Sequence, residues 1–122
     1  MKQKSAPERK LWAQFNALEM GSGWDETDIE KPQILIEDVY GDSHPGSVHL
    51  HELARQAGMG VLECGGFPAH YHTTDVCDGC AQGHDGMNVV LASREAIADM
   101  VSFQPLINSL SKLSFSLRYV RV

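Results

Sequence analysis

The chain has 122 residues, 43% of them hydrophobic and 21% charged, which suits one small domain with a modest core. A net charge of −6 leaves no basic face for nucleic acid or an anionic membrane surface, and no apolar run approaches the ~18 residues of a membrane-crossing helix. The basic start MKQKSAPERKLW leads into no apolar signal core, so a cytoplasmic setting is expected, with Cys64, Cys77 and Cys80 as reduced thiols because an odd count makes no disulfide framework.

The first predicted element is a helix through APERKLWAQFNALEMGSG, with Leu11, Trp12, Phe15 and Leu18 at helical spacing as a core stripe. Ser5 and Pro7 suit its start and Gly21 its end. WDETDIEKP predicts a short acidic helical turn that stops before Pro32. QILIEDVYG, residues 33–41, is an apolar run between a proline and a glycine, the pattern of a buried strand. DSHPGS is then a tight turn. SVHLHELARQAGMGVLECGG predicts a helix with Ser47 as its N-cap and Leu50, Leu53, Ala54, Ala57 and Val61 on one face. FPAHYHTTDV is rich in strand formers. After the loop CDGCAQGHDGM, SREAIADMVSF predicts a helix with Ser93 as N-cap and Ile97, Met100 and Val101 facing inward. Strands alternating with helices imply an α/β layer with a mostly parallel sheet, and ligands in such folds gather beyond the carboxyl ends of strands. The turns GDSHPGS and CDGCAQGHDGM hold that position.

The second turn leaves several chemistries open. Cys77, Cys80 and His84 could supply three ligands of a zinc site, with His49, His51, His70 or His72 as a fourth, although one CxxC without a second pair is a weak signal. A redox dithiol needs its cysteines at a helix N-terminus, and DGCAQG is too glycine-rich to start a helix cleanly. The bland alternative makes the cysteines small packing residues in a glycine turn. Asp78, followed by glycine in a loop after a strand, is either a solvated turn residue or a hard oxygen ligand suited to Mg²⁺. His49 and His51, two apart on a helix, cannot face the same way, so at least one is expected as an ordinary surface residue.

HPGSVHLHEL, GGFPA, CDGCAQGHDGM and LASREAIADM occur in this order between about residues 41 and 100, after the strand KPQILIEDVYGD. Together they resemble the amino-terminal part of the dihydroxy-acid dehydratase and phosphogluconate dehydratase family. The resemblance implies a partial α/β/α layer with a short, mostly parallel sheet, truncated relative to the family's amino-terminal domain. It implies a hydro-lyase that removes water from a 2,3-dihydroxy acid or sugar acid to give a 2-keto acid. An iron–sulfur cluster then acts as Lewis acid on the departing hydroxyl, and Mg²⁺ holds the substrate. It makes Asp78 a Mg²⁺ ligand and places Gly46 where many members carry a cluster cysteine. The pattern HPGSVHL leans toward the dihydroxy-acid branch and branched-chain amino acid biosynthesis. The partner implied is a small hydroxy acid, and full-length members form homo-oligomers.

Against the family pattern, this chain lacks the later Cys-Asp-Lys motif, the later cluster cysteine, the second Mg²⁺ carboxylate and the serine base. The expectation is therefore a fragment, inactive alone, whose cluster ligands it does not encode. All 16 acidic residues precede position 100, and the end MVSFQPLINSLSKLSFSLRYVRV carries only Lys112, Arg118 and Arg121 as charges. That shift divides the chain into a dehydratase fragment, residues 1–101, and an atypical tail, 102–122, expected as a frameshifted or unrelated end. The reading from another class is a small metal-binding module built on Cys77, Cys80 and His84.

Overall fold

The computed structural model describes residues 13–107 and 111–117. Two helices, α1 (Ala13–Gly21) and α2 (Glu26–Glu30), precede strand β1 (Gln33–Tyr40). Helix α3 (Leu50–Glu63), strand β2 (Phe67–Thr74), the short helix α4 (Asp78–Ala81), helix α5 (Gly86–Ile107) and strand β3 (Ser111–Leu117) follow. The three strands form one parallel sheet in the order β2-β1-β3. The chain leaves β1 for one flank, returns through α5 and lays β3 on the other flank.

β1 is central because its sequence can be buried on both faces. Gln33, Leu35, Ile36, Glu37 and Asp38 are all buried, and its register with β2 runs unbroken from Gln33 opposite Phe67 to Tyr40 opposite Thr74. β2 is an edge strand, which is where a proline without an N–H donor, Pro68, is tolerated. Side chains alternate across the sheet. Leu35 and Ala69 pack with Trp24 and Tyr71 on one face, where the Trp24 and Phe67 rings stand 4.4 Å apart. On the other face α3 presses on β2 so closely that a Cβ on Gly58 would meet the His70 ring at 2.7 Å.

α2 starts as its acidic sequence predicts. Asp25 Oδ1 accepts from the Asp28 N–H at 2.8 Å while Asp28 Oδ2 accepts from the Asp25 N–H at 3.2 Å, a reciprocal capping box. The other predicted starts move. α3 begins at Leu50 with His49 in the cap position and no side-chain cap. Ser47 is not its N-cap, because its hydroxyl is committed to Asp75 at 2.7 Å. α5 begins at Gly86, seven residues before Ser93, whose hydroxyl instead donates to the Val90 carbonyl at 2.8 Å within the helix. α4 forms a helical turn directly on Cys77, in the stretch expected to be too glycine-rich for one.

The core stripes are narrower than the spacing suggests. Leu50, Ala54 and Gly58 are the buried residues of α3, while Leu53 is exposed. Met100 of α5 and Leu18 of α1 are exposed rather than inward; Leu11 and Trp12 lie outside the described residues, as do Ser5 and Pro7. The 101/102 boundary falls inside α5, which continues through it to Ile107. Of the tail, β3 pairs with β1 across a register shift between Ile34 and Leu35.

Candidate functional site

The loops after β1 and β2 meet at the carboxyl ends of the strands, and one residue ties them together. Asp75, directly after β2, is buried. Its Oδ2 accepts from the Ser43 N–H at 2.8 Å, the His44 N–H at 2.9 Å and the Ser47 hydroxyl at 2.7 Å. Burial pushes the Asp75 carboxyl up, and the bonds from Ser47, His44 and Ser43 more than reverse it, holding it below the usual 3.8. Gly41 lets this carboxylate approach, since a Cβ there would overlap Asp75 Oδ1. Asp75 was not among the sequence candidates; the signal for it was an acid closing a β-rich run just before the glycine loop.

Asp78 opens α4 and is partly buried. It stands three residues beyond Asp75, in the short helix whose Cys80 thiol donates to the Ser43 carbonyl of the facing loop. A single carboxylate is a hard oxygen donor of the kind that a Mg²⁺ site takes from its protein. Asp78 therefore fits as a single ligand of such an ion. Gly46 lies in the facing loop, where its N–H donates to His44 Nδ1 at 2.8 Å.

The cysteines and His84 do not form the zinc site that their spacing allows. The Gly86 N–H donates to His84 Nδ1 at 3.0 Å, so the imidazole proton sits on Nε2 and donates to the Cys80 carbonyl at 2.9 Å. Both ring nitrogens are thus spent on shaping the turn into α5. Cys77, Cys80 and His84 do not converge as a ligand group among the described residues. The Cys80 thiol donates to the Ser43 carbonyl at 3.5 Å. A hydrogen bond with Cys77, the charge of Cys77, burial and the charge of Asp75 push its pKa up. That is the reverse of what a reactive thiolate needs. Cys64 caps the far end of α3 and is exposed. This thiol set does not fit an iron–sulfur cluster, which takes several converging thiolates.

A different group does converge. Asp38, His51 and His72 place one ligand atom each within 4.8 Å of one another. Asp38 and His72 are register partners on β1 and β2, and His51 reaches them from the first turn of α3. The sequence offers His51 as a completing ligand for the cysteines or a surface residue, His72 as a completing ligand, and Asp38 as part of a strand.

Residues 31–109 match the family model for the amino-terminal domain of dihydroxy-acid and 6-phosphogluconate dehydratases. The chain belongs to this family. A dihydroxy-acid dehydratase of Halothermothrix orenii is 46% identical over 98 residues, 80% of this chain and 16% of the relative. One from Methanosarcina barkeri is 39% identical over the same share of this chain and 17% of its own length. One from Methanococcus aeolicus is 47% identical over 79 residues, 65% of this chain and 14% of the relative. The chain thus spans less than a fifth of the length of these relatives. The matched span covers β1, β2, the Asp75 clasp and the Asp78 turn together, and ends before β3.

Proposed function

We propose that this chain supplies the amino-terminal wall of a hydro-lyase active site that dehydrates a 2,3-dihydroxy acid, or a sugar acid, to a 2-keto acid. The dihydroxy-acid branch is favoured by the names of the relatives, and branched-chain amino acid biosynthesis and a cytoplasmic setting are assigned along with it. The observation that carries the reading is the Asp75 clasp, which fixes the 41–47 loop against the turn bearing Asp78. Asp78 is assigned as a Mg²⁺ ligand. When bound, the ion would orient the hydroxy-acid oxygens and withdraw charge from them. The chain's own part is to hold that carboxylate on α4 and keep the facing loop rigid. One carboxylate cannot by itself stabilise both a developing enolate and a leaving hydroxide, so the chain alone is inactive. Its thiols do not fit the family's cluster, and no step is assigned to one. The role is assigned within residues 1–101; the family match itself runs on to residue 109, so the departure from the family pattern is assigned to the part of the 102–122 tail beyond it.

The test is a chimera. Residues 31–101 replace the matching segment of the Halothermothrix orenii relative, with Gly46→Cys included if that enzyme carries a cluster cysteine there. 2-Keto acid formation is then measured. Turnover is expected in the chimera, with a loss of about 100-fold or more on adding Asp78→Ala, the size of a lost charge-stabilising group. A chimera indifferent to Asp78→Ala would remove the assignment.

A further inference from the structure

The family reading leaves Asp38, His51 and His72 unused. Asp38 is 1% exposed, yet it is an acid in the middle of a sheet. One of its oxygens, Oδ1, bonds His72 Nδ1. The other, Oδ2, has no hydrogen bond, and neither does His51 Nδ1, which stands 3.4 Å from it. A buried carboxylate oxygen without a partner is costly. The side chains of His51 and His72 are 44% and 40% exposed, so the group opens to solvent on one side. The Tyr40 ring stands 4.9 Å from that of His51 and 6.1 Å from that of His72 and packs beside both.

We propose that Asp38, His51 and His72 bind a divalent transition-metal ion of the zinc class. Two imidazoles and one carboxylate are a donor set that such an ion takes, with the fourth position left to water. Bonds of ~2.0–2.1 Å in a tetrahedron separate neighbouring ligand atoms by ~3.3–3.4 Å, which the 3.4 Å between His51 Nδ1 and Asp38 Oδ2 already matches. The ion takes the lone pair of His72 Nδ1, so the neutral imidazole carries its one proton on Nε2, at the solvent side, instead of sharing it with Asp38. The orphaned Oδ2 gains a partner. The three residues come from two rigid strands and a helix packed on them, and none belongs to the 75–87 turn. The site is therefore separate from Asp78 in its ligands and in its choice of ion.

The experiment uses the full 122-residue chain, stripped with a chelator. Zn²⁺ is titrated against a chromophoric competitor, and the visible spectrum with Co²⁺ is recorded. One ion per chain is expected, with affinity falling at least ~10-fold on His51→Ala or His72→Ala. Binding should persist in Asp78→Ala and in the double variant Cys77→Ser, Cys80→Ser. The cobalt spectrum should show tetrahedral bands without thiolate charge-transfer absorption. Far-UV circular dichroism checks that the histidine variants fold. If they do not, the wild-type cobalt spectrum decides. Absence of stoichiometric binding, binding indifferent to both histidines, or a thiolate band that vanishes with the cysteines each overturns the proposal. Because Asp78 is not a ligand here, failure of this site leaves the dehydratase reading standing, and failure of the chimera leaves this site standing.

Discussion

Asp75 shows how much one side chain can organise. Three donors from one loop converge on a single carboxylate oxygen of the next, so the register of the loops depends on that charge. Hydrogen bonds to a charged group are each worth about 1.5–3 kcal/mol, and Ser47→Ala is expected to cost about that much in urea unfolding, with little change in the denaturant slope. The pH dependence has a definite sign. The folded carboxyl titrates below its ordinary 3.8, so the unfolded chain takes up the proton first. The stabilisation is full above 3.8 and drains away as the pH falls below it through the folded value. Acid unfolding of Asp75→Asn should therefore be flatter below 3.8 than that of the parent, from a lower starting stability. The sequence offered little toward this residue, because an aspartate after a strand is usually a solvated turn. Its role exists only because residues 28 to 32 positions away fold back onto it.

At the scale of elements, punctuation was legible and exact starts were not. Glycines 65 and 66 do end α3: the Gly65 N–H donates to the Leu62 carbonyl at 2.9 Å and the Gly66 N–H to the Val61 carbonyl at 3.0 Å. Gly65 has φ of +78°, where a side chain is strained. Gly65→Ala is expected to cost about 1 kcal/mol, read from the denaturant midpoint. The N-termini differ from the expected ones because Ser47 and Ser93 carry the right chemistry for caps but are engaged elsewhere, Ser47 by Asp75 and Ser93 by its own helix. Local propensity proposes a cap, and a competing long-range acceptor takes it. His51 is the same lesson reversed. Spacing on a helix leaves at least one of His49 and His51 as an ordinary surface residue, and β1 brings a buried carboxylate up to meet His51.

For the whole molecule, the apolar accounting is uneven. Leu35, Ile36, Leu50, Ala54, Ala69 and Ala81 form the buried apolar core among the described residues. Large apolar side chains stay exposed on α3, at Leu53, Met59 and Leu62, and on α5, at Val89, Leu91, Met100 and Phe103. Helices of a layered fold normally bury such faces. The purified chain should accordingly enhance the fluorescence of a dye that binds apolar surface and should self-associate with rising concentration on a sizing column. A chain that leaves the dye dark and elutes at one position would show these faces to be covered. No helix among the described residues is long and apolar enough to cross a membrane. Incubated with a 2,3-dihydroxy acid and Mg²⁺, the chain alone should form no 2-keto acid.

The sequence by itself determined the alternation of strands and helices, the parallel sheet, the loops at the strand ends and the family. These rest on short-range patterns and on motifs kept in order along the chain. Only the tertiary structure decided which residues meet. It gathered Asp75 with Ser43, His44 and Ser47, and Asp38 with His51 and His72, and it left Cys77, Cys80 and His84 unassembled. The reason is geometric. Spacing along the chain constrains neighbours within a turn, whereas a carboxylate on a central strand finds its partners across the sheet and from the helix above, at separations that no local pattern records.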